Sequence, residues 1–166
     1  LFDTVLNSEG QSLQGSIVVF DLETTGFSAT RNRIIEFGAV KVENGSITDR
    51  FSTFVNPQVP IPPRITEVTS ITNDMVKDAP TIETVLPEFL EFCKGCVLVA
   101  HNSEFDYTFI QKKSKEQNLE AEFTVVDTVG IARVLFPHLA KYTLDNVAKV
   151  LKISLVNHHR AVEDAE

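Results

Sequence analysis

The chain has 166 residues, with 15 Lys and Arg against 23 Asp and Glu for a formal net charge of −8, four His, two Cys and no Trp. A composition of 43% hydrophobic and 23% charged residues predicts one folded domain and excludes disordered and fibrous chains, while two cysteines cannot form a disulfide framework and fit a reducing compartment. No apolar run approaches the ~18 residues of a membrane span, no signal peptide is legible, and the acidic balance speaks against a high-affinity nucleic-acid module unless some acids hold divalent cations.

Residues 1–16 read as an incoming arm and 17–166 as the domain. The run Ile17-Val18-Val19-Phe20 predicts a buried strand that stops at Thr24-Thr25-Gly26. Residues 34–42 and 47–55 flank Glu43-Asn44-Gly45-Ser46, and Asn-Gly tolerates the positive φ of a tight turn, so an antiparallel hairpin follows. Pro57, Pro60, Pro62 and Pro63 predict an irregular crossing loop. Ile82, Val85, Leu86, Phe89, Leu90 and Cys93 form the stripe of an amphipathic helix, in which Pro87 demands a kink or a start near Glu83. A fourth strand is expected at Val97–Ala100, a helix from 103 to about 117, and a fifth strand at 123–126 with Asp127 capping the helix after it. Leu144, Val147, Ala148 and Leu151 make a last clear helical stripe. This order predicts an α/β fold: a mixed five-stranded sheet, a three-strand antiparallel meander followed by alternating strands and helices, covered by helices. Starting at Leu1 and stopping at Glu166 inside a helical pattern, the chain reads as a piece of something longer.

Three clusters could carry chemistry. Asp21 and Glu23 lie two apart on a strand, so both carboxylates project from one face. Side by side they repel and raise each other's pKa, a penalty that a divalent metal removes. Taken alone, the pair also fits two solvated turn acids. His101-Asn102-Ser103-Glu104-Phe105-Asp106 follows the fourth strand, and Ser103-x-x-Asp106 has the spacing of a capping box that simply starts a helix. In His158-His159-Arg160-Ala161-Val162-Glu163-Asp164, His159 and Asp164 would stand about 140° apart on a regular helix. They converge only if His159 lies in the loop ahead of the helix and Asp164 a turn inside it. Together the clusters supply four carboxylates and a histidine at edges that an open α/β sheet can gather around one crevice.

Phe20-Asp21-Leu22-Glu23-Thr24-Thr25-Gly26, Ala100-His101-Asn102-Ser103-Glu104-Phe105-Asp106 and His159-Arg160-Ala161-Val162-Glu163-Asp164 resemble, in order, the three motifs of the DEDDh (DnaQ-like) 3′–5′ exonucleases. Thr48-Asp49-Arg50-Phe51, Asn56-Pro57, Ile71-Thr72-Asn73-Asp74-Met75-Val76, Val126-Asp127-Thr128 and His158-His159-Arg160-Ala161 resemble the subgroup of proofreading exonuclease domains of PolC-type bacterial DNA polymerase III. One departure is Ser70, where that subgroup more often has Gly, and the other is the stop at Glu166.

The resemblance implies a ribonuclease H-like fold and a metal-dependent hydrolase that removes nucleotides from single-stranded or frayed DNA 3′ ends, proofreading for a replicative polymerase in the bacterial cytoplasm. It implies two Mg²⁺ or Mn²⁺ ions held by Asp21, Glu23, Asp106 and Asp164, with Asp21 bridging and His159 as the general base. It also implies a nucleotide pocket of Thr24, Thr25, Gly26 and Phe27, with Asn102 on a phosphate. The implied partners are a single-stranded DNA 3′ end and the rest of a polymerase with its replication machinery, and no membrane. Phe27 also fits the core, since most of twelve Phe must pack. The same motifs also suit an RNA-trimming relative, because tolerance of a 2′-OH depends on pocket shape. A catalytically silent interaction module would have no physical reason to keep clustered, repelling acids.

Cys93-Lys94-Gly95-Cys96 ends a helix, whereas a redox motif opens one, and a zinc site lacks its second pair, so it reads as packing. Arg31, Arg33 and Arg64 read as surface charges unless the fold brings them to the crevice.

Overall fold

A computed structural model describes residues 15–154 and 159–166; most of the expected arm and His158 lie outside them. Strand β1 (Ile17–Thr24) alternates strictly, burying Val18, Phe20, Leu22 and Thr24 while Ile17, Val19, Asp21 and Glu23 stand half-buried on the opposite face. It extends past Phe20 because alternation, not a continuous apolar run, satisfies a strand with two different faces. Asp21 and Glu23 therefore sit inside the strand, held by its ladder. β2 (Ile34–Glu43) pairs antiparallel with β1 and β3 (Ser46–Phe54) with β2, joined by a turn in which Asn44 and Gly45 take φ of 52° and 77°.

The proline segment is only partly loop. Helix α1 (Pro63–Thr69) starts on Pro63, where a missing N–H costs nothing, and α2 (Asn73–Val76) is capped by the Thr72 side chain. Neither has a long apolar stripe to announce it; they close over a small cluster of Ile35, Ile61, Ile71 and Val76. Ser70 ends α1 in the left-handed region at φ 60°, a conformation that glycine adopts without a Cβ conflict.

Helix α3 (Ile82–Phe92) begins one residue before Glu83 and keeps Pro87 in its second turn. β4 (Val97–Ala100) pairs parallel with β1, and α4 (Ser103–Glu116) follows it. β5 (Val125–Asp127) pairs parallel with β4, starting later than position 123 because the Phe123 N–H donates to the Tyr107 hydroxyl at 3.1 Å. Then come α5 (Thr128–Leu135), α6 (Leu144–Leu151) and α7 (Ala161–Ala165). The strand order β3-β2-β1-β4-β5 is the expected mixed five-stranded sheet.

The main core fills the space between one sheet face and helices α3 and α4. Val18, Phe20 and Leu22 of β1 meet Phe37, Leu98, Leu86, Phe89 and Phe109, and the Phe37 and Phe89 rings lie 4.9 Å apart. Truncating Phe89 to Ala would cost about 3–5 kcal/mol. Cys93 belongs to this core, and burial pushes its thiol up to about 12, which makes it a packing residue. Helix α7 lies on the other face, across β2 and β1. Among the described residues no helix is long and apolar enough to cross a membrane.

Candidate active site

The register of β1 and β2 fixes the floor of the site. Asp21 stands opposite Gly38 and Glu23 opposite Glu36, so all four share the face that α7 covers. Gly38 lets the helix come down: a Cβ there would lie 1.9 Å from the Val162 nitrogen and 2.0 Å from the Ala161 carbonyl carbon. Arg160, just before α7, donates from Nη2 to Glu36 Oε1 at 2.8 Å and from Nε to both carboxylate oxygens at 3.2 and 3.3 Å. The Ala161 N–H donates to Glu36 Oε2 at 3.1 Å. These contacts turn the chain so that His159, at φ 70°, lies ahead of the helix, with its N–H donating to Asp164 Oδ2 at 3.0 Å. Ligand atoms of Glu23, His159 and Asp164 then lie within 4.8 Å of one another.

The fourth carboxylate arrives from α4. Asn102, not Ser103, precedes the helix; it adopts φ 64°, and its side chain makes no cap bond. The capping-box reading of Ser103-x-x-Asp106 therefore fails, because Ser103 is already helical and Asp106 turns into the site. Asp127 accepts the Val129 N–H at 2.9 Å as the expected cap of α5, and also the Asn102 N–H at 3.0 Å, which pins the bend before α4. Asp106 is 2% exposed, and its Oδ1 is buried without a hydrogen-bond partner among the described residues. His101 spends both ring nitrogens structurally, on Thr128 Oγ1 and the Tyr142 carbonyl, each at 2.8 Å.

Burial dominates the electrostatics. It pushes Asp21 up to about 8, helped by Asp164 and Glu36, and Glu23 up to about 9, helped by Asp21, Glu36 and Asp164 and opposed by Arg160. Asp106 is raised well above the usual carboxylate range, first by burial and then by Asp21. Such a cluster must hold protons or cations to stay packed.

Beyond β1 the chain makes a tight turn. Thr24 Oγ1 donates to the Gly26 carbonyl at 2.8 Å, while Thr25 receives the Arg33 N–H on its hydroxyl at 3.0 Å and gives its own N–H to the Arg33 carbonyl at 2.8 Å. Both hydroxyls are committed to shaping the turn. Phe27 is not core: it is 77% exposed, edge-on to Phe105 with ring centroids 6.2 Å apart. On one side of it lies a cavity of about 450 Å³ lined by Thr25, Gly26, Arg31 and Arg64, and on the other a cavity of about 270 Å³ lined by Asn102 and Glu104. The fold thus brings Arg31 and Arg64 beside the turn at residues 25–27, whereas Arg33 does not line that cavity.

A family model described as RNase_T, exonuclease, matches residues 18–166. The chain belongs to this exonuclease family. It is 56% identical over 155 residues to the PolC-type DNA polymerase III of Caldanaerobacter subterraneus subsp. tengcongensis, and 54% identical over 162 residues to that of Clostridium perfringens. These matches cover 93% and 98% of the chain but 11% of each relative, so the exonuclease chain spans about a tenth of the curated relatives it matches. Among solved structures, exonuclease X in complex with 5′ overhanging duplex DNA is 31% identical at TM-score 0.72, over 90% of this chain and 83% of that one. The nuclease domain of 3′hExo, a DEDDh family member bound to rAMP, has TM-score 0.79 at 20% identity over 94% and 88% of the two chains, a likeness of fold. The expected ribonuclease H-like fold is the fold of this family.

The exonuclease family depends on divalent metal, and the chemistry of this donor set fits one. Asp106 Oδ1 lacks a partner among the described residues, burial and neighbouring charge raise the pKa of Asp21, Glu23 and Asp106, and all the donors but His159 are hard oxygens. Asp21, Glu23, Asp106 and Asp164 could hold such a cation. Glu36 and Gly38 are not singled out by the sequence motifs. Their signal is an acid and a glycine at alternate positions of the otherwise apolar stretch 34–40, which calls for a partner above that face.

Proposed function

We propose that this chain is the 3′–5′ exonuclease unit, over residues 17–166, of a longer bacterial polymerase, and that it removes mononucleotides from single-stranded or frayed DNA 3′ ends as a cytoplasmic proofreading activity. The observation that carries this reading is the buried Asp106 carboxylate beside Asp21, its Oδ1 without a hydrogen-bond partner among the described residues, close to where Glu23, His159 and Asp164 converge. Asp21, Glu23, Asp106 and Asp164 would hold two Mg²⁺ or Mn²⁺ ions. When bound, the metal supplies a more acidic water and neutralises charge on the leaving oxygen. His159 takes the proton of the attacking water. The water oxygen bonds to phosphorus as the P–O3′ bond breaks, and the 3′-oxygen of the shortened strand regains a proton.

Thr24, Thr25 and Gly26 shape the pocket that holds the terminal nucleotide, and exposed Phe27 stacks on a base. Asn102 contacts a phosphate across the crevice, and Arg31 and Arg64 meet the strand's phosphates in the neighbouring cavity. With a net charge of −8 the chain has little general grip on DNA, so tethering beside a polymerase supplies the end at high effective concentration. The test is digestion of 3′-labelled against 5′-labelled single-stranded oligonucleotides, DNA beside RNA, with metal and with chelator. Metal-dependent release of mononucleotides from DNA 3′ ends is expected, abolished in Asp21→Ala. Faster digestion of RNA would assign the chain to RNA trimming, and hydrolysis by Asp21→Ala would end the metal reading.

A further inference from the structure

We infer that Glu36 is a positioning residue of the site: with Arg160 it clamps the start of α7, so that docking of this helix and cation binding are coupled. The inference rests on the proposed metal site. Glu36 is 1% exposed in a strand otherwise made of apolar residues and glycine along its buried stretch. A buried carboxylate is tolerated only when paired and hydrogen-bonded, and Glu36 receives three contacts from Arg160 and one from the Ala161 N–H.

Helix α7 needs such a clamp. It has five residues, too few to form alone, and Arg160 at its N-cap offers no side-chain bond to the helix's free N–H groups. Glu36, from β2, accepts the first of them, the Ala161 N–H. At the far end the Arg50–Glu166 pair is 54% and 42% exposed, the kind of surface pair that contributes little.

Glu36 is also electrostatically unwelcome where it stands. It lies directly opposite Glu23 and its charge burdens both Glu23 and Asp21, while Arg160 relieves Glu23. For sheet packing alone an apolar residue would serve better. What the carboxylate provides is the grip on Arg160 and Ala161, which fixes His159 and Asp164 one residue before and three residues after that contact. The remaining acids then face a helix already in place when the cation arrives.

Coupling is reciprocal, so a cation bound by Asp164 must also favour the docked helix. The test uses the 166-residue chain carrying Glu36→Ala, Glu36→Gln, Arg160→Lys or Arg50→Ala. Mn²⁺ binding is measured by calorimetry without substrate, and amide hydrogen exchange of Ala161–Ala165 is compared with that of the sheet. Glu36→Ala is expected to weaken Mn²⁺ binding by about ten- to a hundred-fold, the usual effect of losing a residue that orients ligands. It should expose the α7 amides while the sheet stays protected, and saturating Mn²⁺ should restore them. Glu36→Gln and Arg160→Lys should fall between, each keeping part of the clamp, and they carry the comparison if Glu36→Ala does not fold. Arg50→Ala should match the unsubstituted chain. Unchanged Mn²⁺ affinity and α7 protection in the folded Glu36 variants would overturn the inference. If the unsubstituted chain bound no Mn²⁺, the metal reading would fall and the coupling with it, leaving exchange at α7 to report the clamp alone.

Discussion

The Val162 backbone nitrogen lies 1.9 Å from where a side chain at Gly38 would begin. The last helix therefore touches the bare backbone of β2, opposite Asp21. Gly38→Ala should push α7 off the sheet and reduce metal-dependent hydrolysis by orders of magnitude. Removing a glycine from a strand otherwise tends to stabilise, by about 0.4–1 kcal/mol through the unfolded chain, so any loss reports the close approach itself. Hydrolysis rates alongside circular dichroism of the sheet check this; full activity in Gly38→Ala would show that α7 need not sit so close.

Acidity ties the site to stability. Burial and neighbouring charges hold Asp21 up to about 8 and Glu23 up to about 9, whereas unfolded carboxyls titrate near ~4. In between, the metal-free folded protein keeps protons that the unfolded chain has released. The stability linked to these acids is therefore fully present below pH ~4 and is lost as pH rises through about 8 to 9. The thermal midpoint of metal-free protein should fall between about pH 6 and pH 9, and divalent cation should reverse the fall most strongly at the upper end. Asp21→Asn should flatten the slope. A midpoint that rises with pH over this range without metal would contradict the burial of these acids.

Substitutions at His159 and Asp164 distinguish a proposed base from a proposed ligand. His159→Ala should lose roughly 10²–10⁴ in rate, the range for a general base, while Mn²⁺ still binds. Asp164→Ala should lose both. Single-turnover rates at saturating metal, with calorimetry on the same proteins, distinguish the two; equal loss of metal binding in both would make His159 a ligand.

Arg31 and Arg64 line a cavity with Thr25, Gly26 and Phe27. Replacing either with Ala should raise KM while leaving kcat unchanged. It should also make single-strand binding less sensitive to salt, by about 0.7 in slope for each phosphate that is no longer neutralised. Unchanged slopes in both variants would show that the strand runs elsewhere.

Much of this was legible in the chain itself. The Asn44-Gly45 turn, the shared face of Asp21 and Glu23 and the stripe from Ile82 to Cys93 are local patterns, and local sterics and periodicity decide them. α1 was not legible, because Pro63 marks both a loop and a helix start and no long apolar stripe follows. Phe27 was ambiguous because an aromatic ring serves core and binding face alike; its 77% exposure depends on what packs beside it.

The sequence by itself determined which side chains are on offer: two acids at alternate strand positions, one in the first turn of α4, and a histidine five residues before the fourth acid. It also determined that His159 and Asp164 converge only with the histidine ahead of the helix, since helical geometry forbids the alternative. Only the tertiary structure decided that these side chains come together beside the C-terminal half of β1, because that depends on strand register and on a five-residue helix unable to hold itself. Glu36 is 124 residues from Arg160 along the chain, and Gly38 is comparably far from the helix it admits. No local pattern encodes a contact made only after the sheet has formed.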